Sequence, residues 1–584
     1  MGKRRLLVLV SLLVVGALVA FAGWVAWLGW QAQGDLREAQ DHATQLRAAL
    51  GDRDAAAAER AGDALAASAR SAMDRTDGLD WTVATWLPVI GDDAEGVRAI
   101  SSSLHTLAVD GVAPLVAASG DVDRLTVEGG VDLDVVAGLR EPVEQGYDAV
   151  TRAADEVRAV DSDGFVGRVR APYEEYVELV EGLESGLGAA RTAVDLLPPM
   201  AGGEGPREYL LVVQNNAEIR ASGGLPGAFV LLGADGGRLS ILRQGGPRDF
   251  ESDLEQPILP LSEAEQLVYD DLLGTFFQDA NFTPDFPRTA ELMNAHWEAS
   301  GAQADLDGVL SIDPVALSYV LGAIGPVEVD GRTLTQDNLI EELLSTPYLE
   351  LEPEAQDQLF ADAARVIFEE AVGGGLGDPL AFLEGLARAG REGRFLISSF
   401  DEAEQEQLAG TRVAGELTGD DGATPHVDVS LNDATGSKMS YYLRYGVETV
   451  SEGCRDDGQR LAGSMRMRQT IDQADAEELP ESVTGGGIRG TPAGAQLVIV
   501  RLYGPYGGSI DRVRLGSDVL NPGIVELDGR PVAVLNVFLS STEPIDLDWR
   551  MTTAAGQTDD VEVGVTPSIV PGDKNFTTAS SCTD

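Results

Sequence analysis

Lys3, Arg4 and Arg5 precede a run of 25 residues, Leu6 to Trp30, that carries no charge. A helix rises about 1.5 Å per residue and a bilayer core is about 30 Å thick, so a helix over this run spans it. Basic residues before the run and Asp35 and Glu38 after it place the N-terminus in the cytoplasm and the remainder of the chain outside. Trp24, Trp27 and Trp30 fall at the level of an outer aromatic belt. Ala20-Phe21-Ala22 has the small-x-small form of a signal cleavage site, which leaves a cleaved leader as the alternative. The run continues well past that point and exceeds the about 7–15 residues of a signal core, which favours a retained anchor. Either way the body is exported.

The chain has 42 basic and 96 acidic residues, a formal charge of −54. Without the three basic residues ahead of the run, the balance is 39 against 96, or −57. Such a body repels nucleic acid and anionic lipid, which excludes both as general partners. Lysine occurs only at Lys3, Lys438 and Lys574; every other basic residue is arginine. Cys454 and Cys582 are the only cysteines, and in an oxidising exterior one disulfide tying the C-terminus to the body is expected. No CxxC occurs and the four histidines are far apart, so nothing supports a zinc site.

Length permits several domains. After a cytoplasmic stub (1–5) and the anchor (6–30), residues 31–198 show helical spacing rich in alanine, as at Leu36, Ala39, Ala43, Leu46 and Leu50, and predict an extracytoplasmic helical bundle. Leu196-Leu197-Pro198-Pro199 followed by Gly202-Gly203-Glu204-Gly205-Pro206 reads as a linker. Over 207–420, strand runs at Tyr209–Val213, Ala228–Leu232, Arg238–Arg243 and Gly308–Ile312 interleave with helical stretches and predict an α/β domain. Over 424–584 short alternating runs separated by Gly, Asp and Pro predict a β-sandwich of immunoglobulin-like type. The fold class expected is therefore multidomain α+β.

The connection from Gln214 to Gly227 combines amides, an acid, an arginine and glycines immediately after a strand. Ligands of α/β sheets bind beyond the carboxyl ends of strands, and glycines let backbone N–H groups approach a phosphate. Asn215, Asn216, Gly223 and Gly224 are the candidate ligand-binding residues there, with Arg220 and Arg248 as forks for phosphate or carboxylate. In the alternative, these arginines neutralise neighbouring acids, and Glu218 and Arg220 pair locally to hold the loop rigid. Asp279, Asn281, Asp285, Asp305, Asp307 and Asp313 supply the oxygen ligands to be considered for magnesium or calcium, although Asp313-Pro314 also reads as a helix N-cap. GxSxG, GxxxxGK[ST] and HExxH are absent, and His296 is the only histidine of the α/β region, which speaks against a serine-histidine-aspartate hydrolase.

YLLVVQNNAEIRASGGLPGAFVLL at 209–232, TWLPVIGDDAEGVRAI at 85–100, DGVLSIDPVALSYVLGAIGPVEV at 307–329 and DATGSKMSYYLRY at 433–445 resemble the DUF4012 family of bacterial membrane-anchored proteins, common in actinobacteria, whose function is unknown. A fainter similarity is to the core of LytR-CpsA-Psr proteins, which attach polyprenyl-pyrophosphate-linked glycopolymers to the cell wall. Pro247-Arg248-Asp249 matches that family's Pro-Arg-Asp element, and Ala323-Ile324-Gly325-Pro326-Val327 resembles its Gly-Gly-Val turn. Where its Arg-x-Asp-Thr motif is expected, this chain reads Leu225-Pro226-Gly227-Ala228. The resemblance implies Arg220 and Arg248 at a pyrophosphate, with Glu218 or Asp249 holding Mg2+.

Two functions follow as expectations. One is a single-pass cell-envelope protein that binds or processes an envelope glycopolymer or its polyprenyl-phosphate carrier. The other is a non-catalytic extracytoplasmic scaffold or adhesion protein that contacts other envelope proteins, with the 207–250 segment only a rigid corner.

Overall fold

The computed structural model describes residues 2–582 apart from 88, 89, 128, 252, 253, 303, 374–378, 456, 457, 488, 489 and 541; the side chains of residues 2–23, 25, 26, 123, 353, 354, 357, 379 and 455 are likewise outside the description. The chain divides into two compact units, residues 1–125 with 132–199, and residues 126–131 with 200–584.

The first unit is helical: α1 Gly2–Gly51, α2 Ala55–Thr76, α3 Leu79–Ala84, α4 Gly91–Thr106, α5 Ala113–Ala118, α6 Leu133–Arg158 and α7 Gly167–Met200. The uncharged run lies on α1, and the side chains of its residues 6–23 are outside the described ones. Alanine spacing explains the packing of α1 on α2: Ala39, Ala49, Ala58, Ala61 and Ala69 form one core with Leu46 and Leu65, and small side chains let the backbones approach. Asp54 caps α2 by accepting from the Ala57 N–H at 2.9 Å, and Asp132 caps α6 in the same way. Gly91–Val122, which runs through α4, a π-helical turn and α5, is the helix among those searched that is long and apolar enough to cross a membrane. A core helix passes the same test, and α4 packs against α2 and α6.

Two local expectations change. Helix α7 continues through Pro198 and Pro199, and the chain turns only at residues 201–205. Residues 126–131, expected within the bundle, form the strands β1 Thr126–Val127 and β2 Gly130–Val131 and belong to the second unit.

The second unit contains a seven-stranded sheet in the order β1-β2-β5-β4-β3-β6-β9, with β3 Arg207–Asn215, β4 Leu225–Asp235, β5 Arg238–Gly245, β6 Gly308–Ile312 and β9 Phe395–Ser399. A small hairpin, β7 Val327–Val329 and β8 Arg332–Leu334, stands apart from it. Strands β3, β4 and β5 form an antiparallel meander, whereas β6 runs parallel to β3, pairing Tyr209 with Gly308 through Val213 with Ile312. Alternation along β3 and β4 divides the side chains between two faces. Leu210, Val212, Phe229 and Leu231 pack with α8 Glu263–Tyr269, α9 Leu272–Thr275 and α10 Phe286–Ala299. Tyr209, Leu211, Val213, Val230 and Leu232 face the other way, toward α11 Pro314–Ile324 and the helices that follow it. Helices α8 and α9 are separate because Asp270 takes a positive φ of 65° and ends α8.

The remaining strands form two sheets. One has six strands, β16 Ile524–Leu527, β17 Arg530–Leu539, β13 Gln496–Tyr503, β10 His426–Asp433, β19 Val561–Val565 and β20 Phe576–Thr578. The other has five, β11 Leu443–Arg455, β12 Gly458–Gln469, β18 Ile545–Thr552, β14 Ser509–Leu515 and β15 Asp518–Leu520. They share a core that includes Val429, Leu431, Met465, Val500, Leu535 and Trp549. All pairings are antiparallel except β10 with β19. Both sheets and the seven-stranded sheet belong to one unit, and Tyr503 and Val532 of the six-stranded sheet enter the same core as α8 and α10. Cys454 and Cys582 are joined by a disulfide across 128 residues.

Candidate functional site

The loop between β3 and β4 is buried from Asn216 through Gly224, and its polar groups are turned onto protein. Gln214 starts the accounting: its Nε2 donates to Ser311 Oγ at 2.5 Å and to Ser222 Oγ at 3.2 Å, and its Oε1 accepts from the Gly224 N–H at 2.7 Å. Asn215 donates to the Tyr348 hydroxyl at 2.6 Å and accepts from the Ala217 N–H at 3.0 Å. Asn216 donates to Asp313 Oδ2 at 2.9 Å. Asn281 closes the ring by donating to Ser222 Oγ and to the Gly224 carbonyl, at 3.1 and 2.8 Å.

Both glycines are needed for this closeness. A Cβ on Gly224 would lie 2.3 Å from the Asn215 carbonyl carbon, and Gly223 has a φ of 131° with Gln214 Oε1 2.8 Å from a Cβ position. What approaches these glycines is the chain itself. Leu225 and Pro226, at the position of the expected Arg-x-Asp-Thr motif, begin β4 and pair with Asn215 and Gln214.

The charged residues of the loop reach the six-stranded sheet and the turn after it. Arg220 is 5 % exposed; its Nη1 donates to the Ile219 and Asp433 carbonyls at 3.1 and 3.2 Å, its Nη2 pairs with Asp279 at 3.4 Å, and its guanidinium lies over the Phe282 ring. Glu218 pairs with Lys438. The Ile219 N–H donates to Ser440 Oγ and the Ala221 N–H to Asn432 Oδ1, while Thr566 donates to the Ala221 carbonyl. Asp433 in turn accepts from Thr435 and Ser437, and burial pushes its carboxyl above the ordinary range although Thr435 and Arg220 oppose this. The 433–445 block is thus the counterpart onto which the loop is fastened.

Arg248 and Asp249 are in a different setting. They are exposed on the single 3-10 turn Pro247–Asp249, where Asp249 accepts from the Gly246 N–H at 3.0 Å and pairs with Arg243 at 3.4 Å. The structure therefore buries one of the two expected anion-binding arginines and leaves the other at the surface. The acids considered for a cation are likewise dispersed. Asp307 holds Arg207, Asp279 holds Arg220, and Asp313 holds Arg394 while capping α11 through the Ala316 N–H at 2.8 Å. Asp285 precedes α10 and accepts from the Leu417 N–H at 3.4 Å. Among the described residues, no group of three or more His, Cys, Asp or Glu side chains gathers to hold a metal ion.

Sequence reading missed Arg394, whose side chain is fully buried. It donates to Asp313 at 2.8 Å, to Glu392 at 2.7 Å and to the Ser568 and Val570 carbonyls at 2.7 and 2.9 Å. Burial works against its charge, but Asp313 and Glu392 more than offset this and hold its pKa above the usual arginine value. Beside the loop, a crevice lined by Leu344, Tyr348, Lys438, Tyr441 and Tyr442 has a volume of about 10 Å³, room for about one water. Chemically, the arrangement joins backbone to backbone through buried polar groups, while Asn216 Oδ1, Arg220 Nε and Asn281 Oδ1 are buried without a hydrogen-bond partner among the described residues.

No curated protein and no solved structure matches the chain. The segment that builds the loop and the strands on either side of it, residues 204–348, matches the model of the DUF4012 family, described as a protein of unknown function.

Proposed function

We propose that the protein is a single-pass, membrane-anchored extracytoplasmic scaffold, with a cytoplasmic N-terminus and a body that presents surfaces to other envelope proteins. The observation that supports this over ligand processing is the state of Arg220: buried, bonded to two carbonyls and an aspartate, and covered by Phe282. A polyprenyl pyrophosphate held as the LytR-CpsA-Psr resemblance implies needs Arg220 and Arg248 together at an accessible groove. In the scaffold, residues 214–224 fasten the seven-stranded sheet to the pair of β-sheets and keep the unit rigid. The uncharged run on α1, bounded by basic residues on one side, supports the anchor and its orientation.

The test is direct binding of a polyprenyl pyrophosphate to the full chain in detergent, with and without Mg2+. No saturable binding is expected in either condition. Saturable binding that Arg248→Ala weakens at least ten-fold, with the melting temperature unchanged, overturns the scaffold reading in favour of the glycopolymer one. Protease added to intact spheroplasts should digest the body; complete protection defeats the extracytoplasmic placement separately.

A further inference from the structure

Of the seven tryptophans, Trp81, Trp297 and Trp549 are buried, while Trp24, Trp27, Trp30 and Trp86 are exposed. All four exposed ones fall in two segments of the first unit, residues 24–30 and 79–90. The second segment also exposes Leu79, Val83 and Ile90, with Leu79 at 87 % and Trp86 at 80 %. Positions 79, 83 and 86 follow helical spacing along one side. Although α3 ends at Ala84, bonds from the Thr85, Trp86 and Leu87 N–H groups to the Trp81, Val83 and Ala84 carbonyls continue its path. The opposite side carries Trp81 and Ala84, packed with Leu28 of α1 and Ala94 of α4. This short element is therefore apolar on both sides, and only one side has protein against it.

Its height along α1 is set by two contacts. Trp24 Nε1 donates to Asp80 Oδ2 at 2.8 Å, and the Trp81 ring is 3.5 Å from the position of a Cβ on Gly29. Residues 79–84 accordingly lie beside residues 24–29, the distal end of the uncharged run. At about 1.5 Å per residue the run is roughly 37 Å long against a core of about 30 Å, so its last turn emerges into the headgroup layer. Tryptophan favours that layer, where an apolar ring and a hydrogen-bonding N–H are both accommodated. Residues 76–90 contain no lysine or arginine; Arg98 donates to the Thr76 carbonyl and the Thr82 hydroxyl, and Arg75 pairs with Asp35.

We propose that residues 79–87 form a foot that lies in the outer interface of the bilayer beside the anchor, with Leu79, Val83 and Trp86 in contact with lipid. The foot rests on the anchor reading above, and it adds to the continuous helix α1 a second point of attachment that sets the tilt of the bundle relative to the membrane. Its occupant is a zwitterionic lipid surface.

The test uses the full chain reconstituted in phosphatidylcholine vesicles, with a single environment-sensitive fluorophore on Trp86→Cys, Leu79→Cys, Leu18→Cys or Glu59→Cys; Cys454 and Cys582 are in their disulfide and do not react. Labels at 79 and 86 should emit to the blue of the label at exposed Glu59 and be quenched at least two-fold by lipids carrying a spin label near the headgroup. The label at 18 should respond to a spin label deep in the acyl chain. If labels 79 and 86 match label 59 while 18 is quenched, the foot is refuted and the anchor stands. If 18 is unquenched, the anchor reading fails, and the foot, which lies beside the anchor, fails with it. Raising the salt to 1 M should leave the quenching at 79 and 86 unchanged; its loss refutes an apolar foot.

Discussion

Asp285 and His296 stand at the start and within the last turn of the same helix and respond to pH in opposite senses. Loss of solvation pushes the Asp285 carboxyl up to about 7, with Glu416 and Glu291 adding to it and the Leu417 N–H opposing. Burial lowers His296 to about 4. A carboxyl whose folded pKa is raised favours the protonated form, so its contribution to stability is present at acid pH and is lost as pH rises toward 7. A histidine whose folded pKa is lowered contributes above its unfolded value near 6.5 and loses that contribution as pH falls through about 4. Asp285→Asn, which keeps an acceptor for Leu417 without the charge, should stabilise the protein more at pH 8 than at pH 5. The difference is up to about 3 kcal/mol, since a tenfold change in proton affinity corresponds to about 1.4 kcal/mol. Denaturant midpoints of variant and parent at both pH values check it, and an equal effect at the two refutes it. Sequence alone groups Asp285 with possible cation ligands because acid density is all it displays; that Asp285 faces Leu417 across the fold depends on pairings far along the chain. Arginine is harder still to read. With lysine almost absent, the same residue type serves exposed pairs such as Arg466 with Asp546 and buried clamps such as Arg220, Arg394 and Arg530.

At the scale of elements, Arg394 is where β9, the start of α11 and the segment at 568–570 meet. Strand β9 begins immediately after it, Asp313 caps α11, and Ser568 and Val570 follow β19. Arg394→Met removes four donated hydrogen bonds and leaves Asp313 buried without its cation, while Glu392 keeps Arg388, which should cost about 3–5 kcal/mol. Arg394→Lys keeps the charge but loses the fork and should fall between the two. Urea unfolding of the three proteins measures this, and a loss under about 1 kcal/mol for the Met variant would show that the clamp contributes little. The elements themselves are legible to the extent that one residue pattern dominates. Strands β3, β4 and β6 read clearly because they are near-continuous apolar runs buried on both faces. Strand β18 alternates Leu547, Trp549 and Met551 with Asp546, Asp548 and Arg550, the period-two pattern of a half-buried strand. The Gln214–Gly227 loop stands out as polar, glycine-rich and strand-terminal, but those properties are the same whether the groups face a ligand or 433–445. Only the long-range partner decides, and Asp433 and Ser440 lie more than 200 residues along the chain from the loop residues they meet.

The whole molecule is closed near its end by the disulfide between Cys454, on β11, and Cys582. Strands β19 and β20 lie inside the closed loop and complete the six-stranded sheet, so the C-terminal segment is part of the core through Val561, Val563 and Val565. It is also held by non-covalent contacts: Lys574 donates to the Tyr445 carbonyl and Thr578 to the Thr449 carbonyl. What the bond changes is the unfolded chain, where joining residues 128 apart removes about 5 kcal/mol of loop entropy in the chain-entropy model. Cys454→Ser with Cys582→Ser should therefore leave the native circular dichroism spectrum intact and lower the urea midpoint of the second unit, by an amount that approaches that figure if the unfolded state is open. The parent protein treated with reductant should shift to the same midpoint as the double variant. If neither change moves the midpoint, the unfolded chain is already compact around this segment and the covalent closure adds nothing to stability. If reduction shifts the midpoint but the double variant does not, the effect belongs to the free thiols and not to closure.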